Sequence, residues 1–462
     1  MARSALLAKR QELNMTSGSE VRLILTFSLP LLAGNIFQQL YNMVDTWTVG
    51  NFVGNEAFSA VGTVTPIINT LLSVFVGFSA GSSVVLSQYY GAKNYEKVHD
   101  AVHTTITLAV ILSVLLTALG IFAVPAMLHL TKTPVSVFPE AKAYLTIIFA
   151  GLTGMLLYNT GAGILRAVGD SQRPFYYLVC SAVLNTVLDL LFVIKFHLGV
   201  RGVAYATIIA QGVSAVLALG SLLRADNCVK LSLRDLKIHR DLLKKIVFTG
   251  LPAAIQMGIT AFSNVFVQSY INQFDEYCMG GWTAYHKVDM LLMLPMQSIG
   301  MAATTFVGQN LGCGQSDRAR HGVRTATVLA FIITVGLSLL VVLFAPQIVV
   351  FFISEPETIS FGVLFLRCLT PFYCACCVNQ VLMQALRGAG DSKGPMIICL
   401  FSFVLFRQVY LFVVSHFISN TVLPIAMGYP AGWIMCSLLM VLYYHSHDLG
   451  RTALVSESER RT

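Results

Sequence analysis

Apolar residues fill this chain in blocks of about 20 or more, separated by short polar stretches, and do not alternate with polar ones. A helix needs roughly 20 such residues to cross hydrocarbon, whereas a barrel strand would show about ten in alternation. Twelve blocks stand out, at 24–49, 60–86, 101–124, 142–165, 174–195, 202–223, 246–271, 283–308, 324–346, 359–386, 395–418 and 422–445. The pattern predicts an all-α integral membrane protein with twelve transmembrane helices.

The blocks come in two sets. Leu165-Arg166-Ala167-Val168-Gly169-Asp170-Ser171-Gln172-Arg173-Pro174 follows the fourth, and Leu386-Arg387-Gly388-Ala389-Gly390-Asp391-Ser392-Lys393-Gly394-Pro395 follows the tenth, 221 residues later. Gln88 and Gly91 map onto Gln309 and Gly312 at the same offset, and Leu29-Pro30 onto Leu251-Pro252 at 222. Halves that keep register over such a distance are copies of one unit. Six spans per copy is an even number, so the two six-helix repeats enter the membrane in the same sense and are parallel. The expected organisation is an N-terminal segment 1–23, a first lobe 24–223, a linker 224–245, a second lobe 246–445 and a tail 446–462. The linker leucines Leu231, Leu233, Leu236, Leu242 and Leu243 fit a short surface helix or a solvated connection.

Composition agrees with the pattern. Hydrophobic residues make up 56% of the chain and charged ones 11%, against about 25% charged in a soluble domain. The first twenty residues hold Arg3, Lys9, Arg10, Glu12 and Glu20 and no run of signal-peptide type. Of the 30 Lys and Arg, 23 fall in the termini and connections on one side, and four on the other: Lys132, Lys142, Lys195 and Arg201. Glu56, Glu140, Asp275, Glu276, Glu355 and Glu357 also lie on that second side. This bias places both termini in the cytoplasm. The net charge of +8 is therefore topological and requires no nucleic-acid partner. Cys374-Ala375-Cys376-Cys377 lies within a span, with no acid or His nearby, and reads as packing rather than metal or redox chemistry.

Ionisable side chains inside spans cost about 2.5–3.5 kcal/mol each at a helix centre, so each asks for a reason. Here they are Asp45, Asp189, Asp289 with Lys287 and His286, Arg367 and Arg407. At 1.5 Å per residue, Asp45 lies about 12 Å, Asp189 about 9 Å, Asn185 about 15 Å and Thr207 about 9 Å below the outer surface. Asn185 shares a face with Asp189 at i, i+4, and Gln38 and Tyr41 share the stripe of Asp45. Two carboxylates with an amide, a hydroxyl and a phenol at one level form a polar nest. A close carboxyl pair titrates as a unit and can hold a proton; the same oxygens can ligate Na⁺. The second half breaks the repeat, since Asn185 and Asp189 map onto Phe406 and Tyr410, beside Arg407. Arg407 either pairs with Asp289, snorkels or bonds carbonyls. His99, His103, His321, His445 and His447 fall at or near cytoplasmic ends, where an interfacial role is the default.

Several of these signals recur together in one family. Pro30 with Asp45, Gln88-x-x-Gly91, Arg166-x-x-Gly-Asp-Ser-x-x-Pro174 and Gly199-Val200-Arg201-Gly202-Val203-Ala204, in order and partly duplicated, resemble the multidrug and toxin extrusion (MATE) transporters over essentially the full length. The resemblance implies two six-helix lobes around a central cleft and export of organic, often cationic or amphipathic, compounds in exchange for H⁺ or Na⁺. It also implies a bacterial inner-membrane protein that needs no cofactor and works as a monomer. A bacterial and archaeal branch has Asp, Asn-x-x-x-Asp and Thr at positions matching Asp45, Asn185, Asp189 and Thr207. Another branch carries acids in the second lobe, where this chain has Asn264, Gln268, Asn379 and Gln380. The repeated phrases, Gly169, Asp170, Gly390 and Asp391 with Gln88, Gly91, Gln309 and Gly312, read as helix ends and turns, or as gating parts. Met155, Met257, Met293, Met296 and Met301 would suit loose recognition of apolar molecules, or ordinary packing. A lipid-linked oligosaccharide flippase of the same superfamily is the alternative within transport. A membrane transferase would want clustered carboxylates for Mg²⁺, and Asp170 and Asp391 stand singly in separate halves.

Overall fold

The structure is a computed structural model, and it describes residues 13–131 and 133–460, apart from some side chains between 55 and 74. Arg3, Lys9, Arg10, Glu12, Lys132 and Arg461, which enter the charge bias, lie outside the described residues, as does the Glu56 side chain. In hydrocarbon every backbone N–H and C=O must bond within the chain, and the described residues contain helices and no strand. The first half is α1 (Glu20–Phe52), α2 (Asn55–Gly91), α3 (Tyr95–Leu130), α4 (Phe138–Ala150), α5 (Leu152–Ala167), α6 (Gln172–Leu190) and α7 (Gly199–Leu223). The second is α8 (Arg240–Ile271), α9 (Glu276–Gly312), α10 (Ser316–Leu343), α11 (Ala345–Phe352), α12 (Pro356–Leu369), α13 (Tyr373–Gly388), α14 (Lys393–Cys399), α15 (Arg407–Val413), α16 (Val422–Ala426) and α17 (Gly428–Ser446).

Among the described residues ten helical stretches are long and apolar enough to cross a membrane, and α4 with α5 makes an eleventh, bent by 45°. The 37-residue α2 occupies the remaining expected span. The bend falls at Gly151, where α7 comes so close that a Cβ would lie 2.2 Å from Ile208 Cγ2. Side chains start some helices. Asn94 accepts from the Lys97 N–H at 3.2 Å ahead of α3, and Asp275 from the Cys278 N–H at 2.8 Å ahead of α9.

The chain divides into two compact units. The first takes Leu29–Leu251 with short pieces of both termini, and the second takes Met15–Ser28 and Pro252–Glu457. Two of the four divisions fall inside helices, α1 and α8, at or next to the internal prolines Pro30 and Pro252. In the first unit α5 packs against α2, α3 and α7, and α6 lies along α7. Its core gathers Phe75, Leu145, Phe149, Leu152, Val200 and Val203, among others. In the second unit α9 packs on α10, α12 and α13, and α17 covers α13.

Both copies of the repeated phrase are turns that seat another segment. Gly169 and Gly390 have φ of +93° and +100°, which an L side chain rarely adopts. Asp170 Oδ1 accepts from the Gln172 and Arg173 N–H groups at 3.0 Å. Asp391 accepts from the Gly394 N–H at 3.0 Å and the Tyr443 hydroxyl at 2.7 Å. The Leu13 N–H donates to the Gly169 carbonyl at 3.1 Å, and a Cβ on Gly390 would lie 2.6 Å from the Thr452 carbonyl oxygen. Gly91 and Gly312 close α2 and α9. Gln88 is buried, and the buried Gln309 accepts from the Met15 N–H at 3.1 Å.

Residues 224–239 are irregular rather than helical. They are not solvated throughout either, because Val229 and Leu231 are buried. Cys376 and Cys377 are buried free thiols within α13.

One close joint between helices of the first unit is made by backbone alone. A Cβ on Gly81 of α2 would lie 2.4 Å from both Cα and N of Gly250 in α8, with no flexible side chain to yield. Gly81→Val should therefore lower the thermal unfolding midpoint of the purified protein, with a loss of about 1–3 kcal/mol. Gly212→Ala, where a Cβ meets nothing within 4 Å, is the matched control and should leave the midpoint nearly unchanged.

Candidate functional site

Three helices of the first unit bring the expected residues together. α1 supplies Gln38, Tyr41 and Asp45; α6 supplies Asn185 and Asp189; α7 supplies Thr207. The buried face of α6 runs through Leu178, Ser181, Ala182, Asn185 and Asp189, the i, i+4 stripe that faces a neighbouring helix. Ser181 ties it to α7 by donating to the Ala210 carbonyl at 2.8 Å. Asp189 continues directly into a π-turn, Leu191–Lys195, a widening of the helix that often accompanies function.

Asp189 is fully buried and Asn185 is 2% exposed. The Asp45 and Asp189 carboxyls lie within hydrogen-bonding reach of each other. Two ionised carboxylates can only accept, so that contact lacks a hydrogen. Accordingly Asp45 Oδ1, both oxygens of Asp189, both amide atoms of Asn185 and Thr48 Oγ1 are buried with no hydrogen-bond partner among the described residues. Each such group costs about 1–3 kcal/mol if left unsatisfied. A proton between the two carboxyls, or a small cation, would give the oxygens of this set a partner. Thr207 donates to the Val203 carbonyl at 3.0 Å, which leaves its oxygen lone pairs free to accept.

A cavity of about 10 Å³ adjoins them, lined by Tyr41, Ser181, Asn185, Thr207 and Gln211 with three apolar residues. That is near the room one water needs. Gln38 and Gln211 both approach the Tyr41 hydroxyl, and Tyr144 of α4 lies within electrostatic range of Asp45, Tyr41 and Asp189. Gln211 and Tyr144 are the members that sequence reasoning misses. Gln211 had a signal, one turn beyond Thr207 on the same face; Tyr144 had none, since only the bend at Gly151 sets the course of α4.

The second unit is different. At the offset relating Pro30 to Pro252, Asp45 becomes Val267, which is buried. Tyr410 donates to the Pro424 carbonyl at 3.0 Å. Arg407, 2% exposed, does not pair with Asp289. It donates to Ser263 Oγ at 2.8 Å and Asn264 Oδ1 at 2.9 Å, with its guanidinium carbon 5.1 Å from the Tyr429 ring centre. Asp289 accepts from the Tyr373 hydroxyl, which in turn meets Tyr285 at 3.1 Å, and His286 lies 3.6 Å away. Arg367 is exposed. Lys287 sits over the Phe352 ring at 5.5 Å. Met155 and Met296 are packed in the interiors of their own units.

The family model MatE matches this chain twice, at residues 30–191 and 252–413. Probable multidrug resistance protein YpnP of Bacillus subtilis (strain 168) is 29% identical over 432 residues, covering 93% of this chain and 96% of its own. Probable multidrug resistance protein YoeA of the same organism is 30% identical over 429 residues, covering 90% and 92%. The crystal structure of a MATE protein in the bent conformation superposes with a TM-score of 0.88 at 24% identity, covering 94% of this chain and 96% of that one. That likeness confirms the fold.

Orphaned polar atoms make a stability prediction. Asn185→Leu removes two of them at nearly constant volume, and should raise the thermal midpoint of the purified protein or leave it unchanged. A residue of purely structural value would lower it instead.

Proposed function

Because this chain belongs to the MatE family, the multidrug and toxin extrusion transporters, we propose that it is a secondary active multidrug efflux transporter that exports organic compounds by antiport with H⁺ or Na⁺. The observation that carries this reading is the Asp45–Asp189 pair, in which Asp45 Oδ1 and both oxygens of the fully buried Asp189 lack a donor. Long apolar helices and multidrug-resistance relatives support the multi-pass membrane setting. We place both termini in the cytoplasm of a bacterial cell, with one chain sufficient for transport.

The pair is the coupling element. With one proton, Asp189 donates to Asp45 and the facing acceptors become a hydrogen bond. With Na⁺ as the coupling ion, Asp45, Asn185, Asp189 and Thr207 would offer it oxygens. Tyr41, approached by Gln38 and Gln211, connects the pair to the neighbouring cavity, so a change of charge at the carboxylates alters what the cavity can hold. Coupling follows if the cation and the drug disfavour each other there, and if the two halves alternate access to either side. A driving force of about 150 mV gives roughly 3.5 kcal/mol per proton, enough for a few-hundred-fold gradient of a neutral substrate.

Asp189→Asn should insert normally yet abolish both drug resistance in cells and drug-induced proton flux in proteoliposomes. Efflux measured with the pH and Na⁺ gradients imposed separately identifies the coupling ion. Normal transport by Asp189→Asn would remove the carboxyl pair from the mechanism.

A further inference from the structure

Away from the carboxyl pair, the connection between α7 and α8 meets the start of α3 at a second group of chemically able side chains. His99 and His103 stand one turn apart on α3, at the i, i+4 spacing that presents two imidazoles on one face. Asp235, from the connection, joins them; one ligating atom from each of the three lies within 4.8 Å of the others. Burial grades outward, from His103 at 1% exposed, through a half-buried His99, to an exposed Asp235. An ion can therefore reach the group from solvent while its innermost ligand is held in place.

His103 is already set in the tautomer a metal requires. Its Nδ1 lies 2.8 Å from the His99 carbonyl oxygen and must donate its hydrogen to it. Nε2 is then the bare nitrogen, and it accepts from the Ser232 N–H at 3.0 Å. A ring N–H donated to a backbone carbonyl is the arrangement that orients metal-binding histidines. Ser232 and Asp235 are the two ends of a single turn, closed by the Asp235 N–H on the Ser232 carbonyl at 3.2 Å. That turn brings both the backbone donor and the carboxylate to the imidazoles.

We propose that His99, His103 and Asp235 form a binding site for a divalent transition ion of the Zn²⁺ class, in which the ion takes the His103 Nε2 lone pair from the Ser232 N–H. Two neutral imidazoles and one carboxylate are a ligand set Zn²⁺ accepts, with a further position left to water. Nε2 has one lone pair, so the ion and the Ser232 amide are alternatives. The connection stays docked in either state through Thr104, whose hydroxyl oxygen accepts from the His239 N–H at 3.1 Å. Metal binding therefore exchanges one contact of the segment joining the two repeats without releasing it.

The test is a Co²⁺ titration of the purified, tag-free full-length protein in detergent, followed by the visible absorption of the bound ion and by displacement with Zn²⁺. Wild type should bind one equivalent. Asp235→Asn and His99→Ala, which leave the Ser232–His103 bond intact, should each weaken binding by about tenfold or more. His103→Gln, which keeps an acceptor for Ser232, should do the same. Hydrogen exchange at the Ser232 amide should quicken when the ion binds. Wild-type affinity in both Asp235→Asn and His99→Ala, or metal binding that leaves Ser232 protection unchanged, would overturn the proposal. None of these readouts depends on transport, so they stand apart from the coupling site.

Discussion

Hydrocarbon offers no partner to a polar atom. Every N–H, C=O and polar side chain inside the span must find one within the protein. The backbone satisfies this by being helical throughout, and most side chains by bonding back onto helix carbonyls, as Thr207 does to Val203. Against that background the unsatisfied oxygens of Asp45 and Asp189 stand out. The rest of the first unit holds them there: Ser181 fixes α6 on α7, and the bend at Gly151 brings α4 with Tyr144 to the same level.

Much of this was legible in the chain. Block length and charge bias gave the spans, because membrane thickness and helix rise leave little freedom. Helical rise alone placed Asp45, Asn185, Asp189 and Thr207 at similar depth. What remained hidden depended on contacts between elements distant in sequence. The sequence leaves Arg407 open to pairing with Asp289, snorkelling or bonding carbonyls, and in the structure Arg407 bonds Ser263 and Asn264 while Asp289 accepts from Tyr373. Neutral hydrogen-bonding groups on adjacent helices compete well with a distant counter-ion, and no spacing rule reveals which helices are adjacent. The connection after α7 was similarly opaque. Its leucines fit a surface helix or a solvated connection, but hydrogen bonds to His103 and Thr104 hold it in an irregular, partly buried path.

The duplicated phrases illustrate how one local device serves two settings. In each copy an aspartate caps the next helix, and a glycine with positive φ exposes its backbone to an incoming segment. The incoming segment differs: Leu13 in one copy and Thr452 in the other. The turn thus anchors a different segment in each copy.

The acids that carry the proposed coupling belong to one copy of the duplication, and their counterparts in the other are Val267, Phe406 and Tyr410. On the proposed coupling, replacing a carboxylate in the first half would remove the energy source for every exported compound at once. On the same reading, side chains of the second half can change without touching a coupling carboxylate, so what is exported and what drives the export would be encoded in separable parts of the chain.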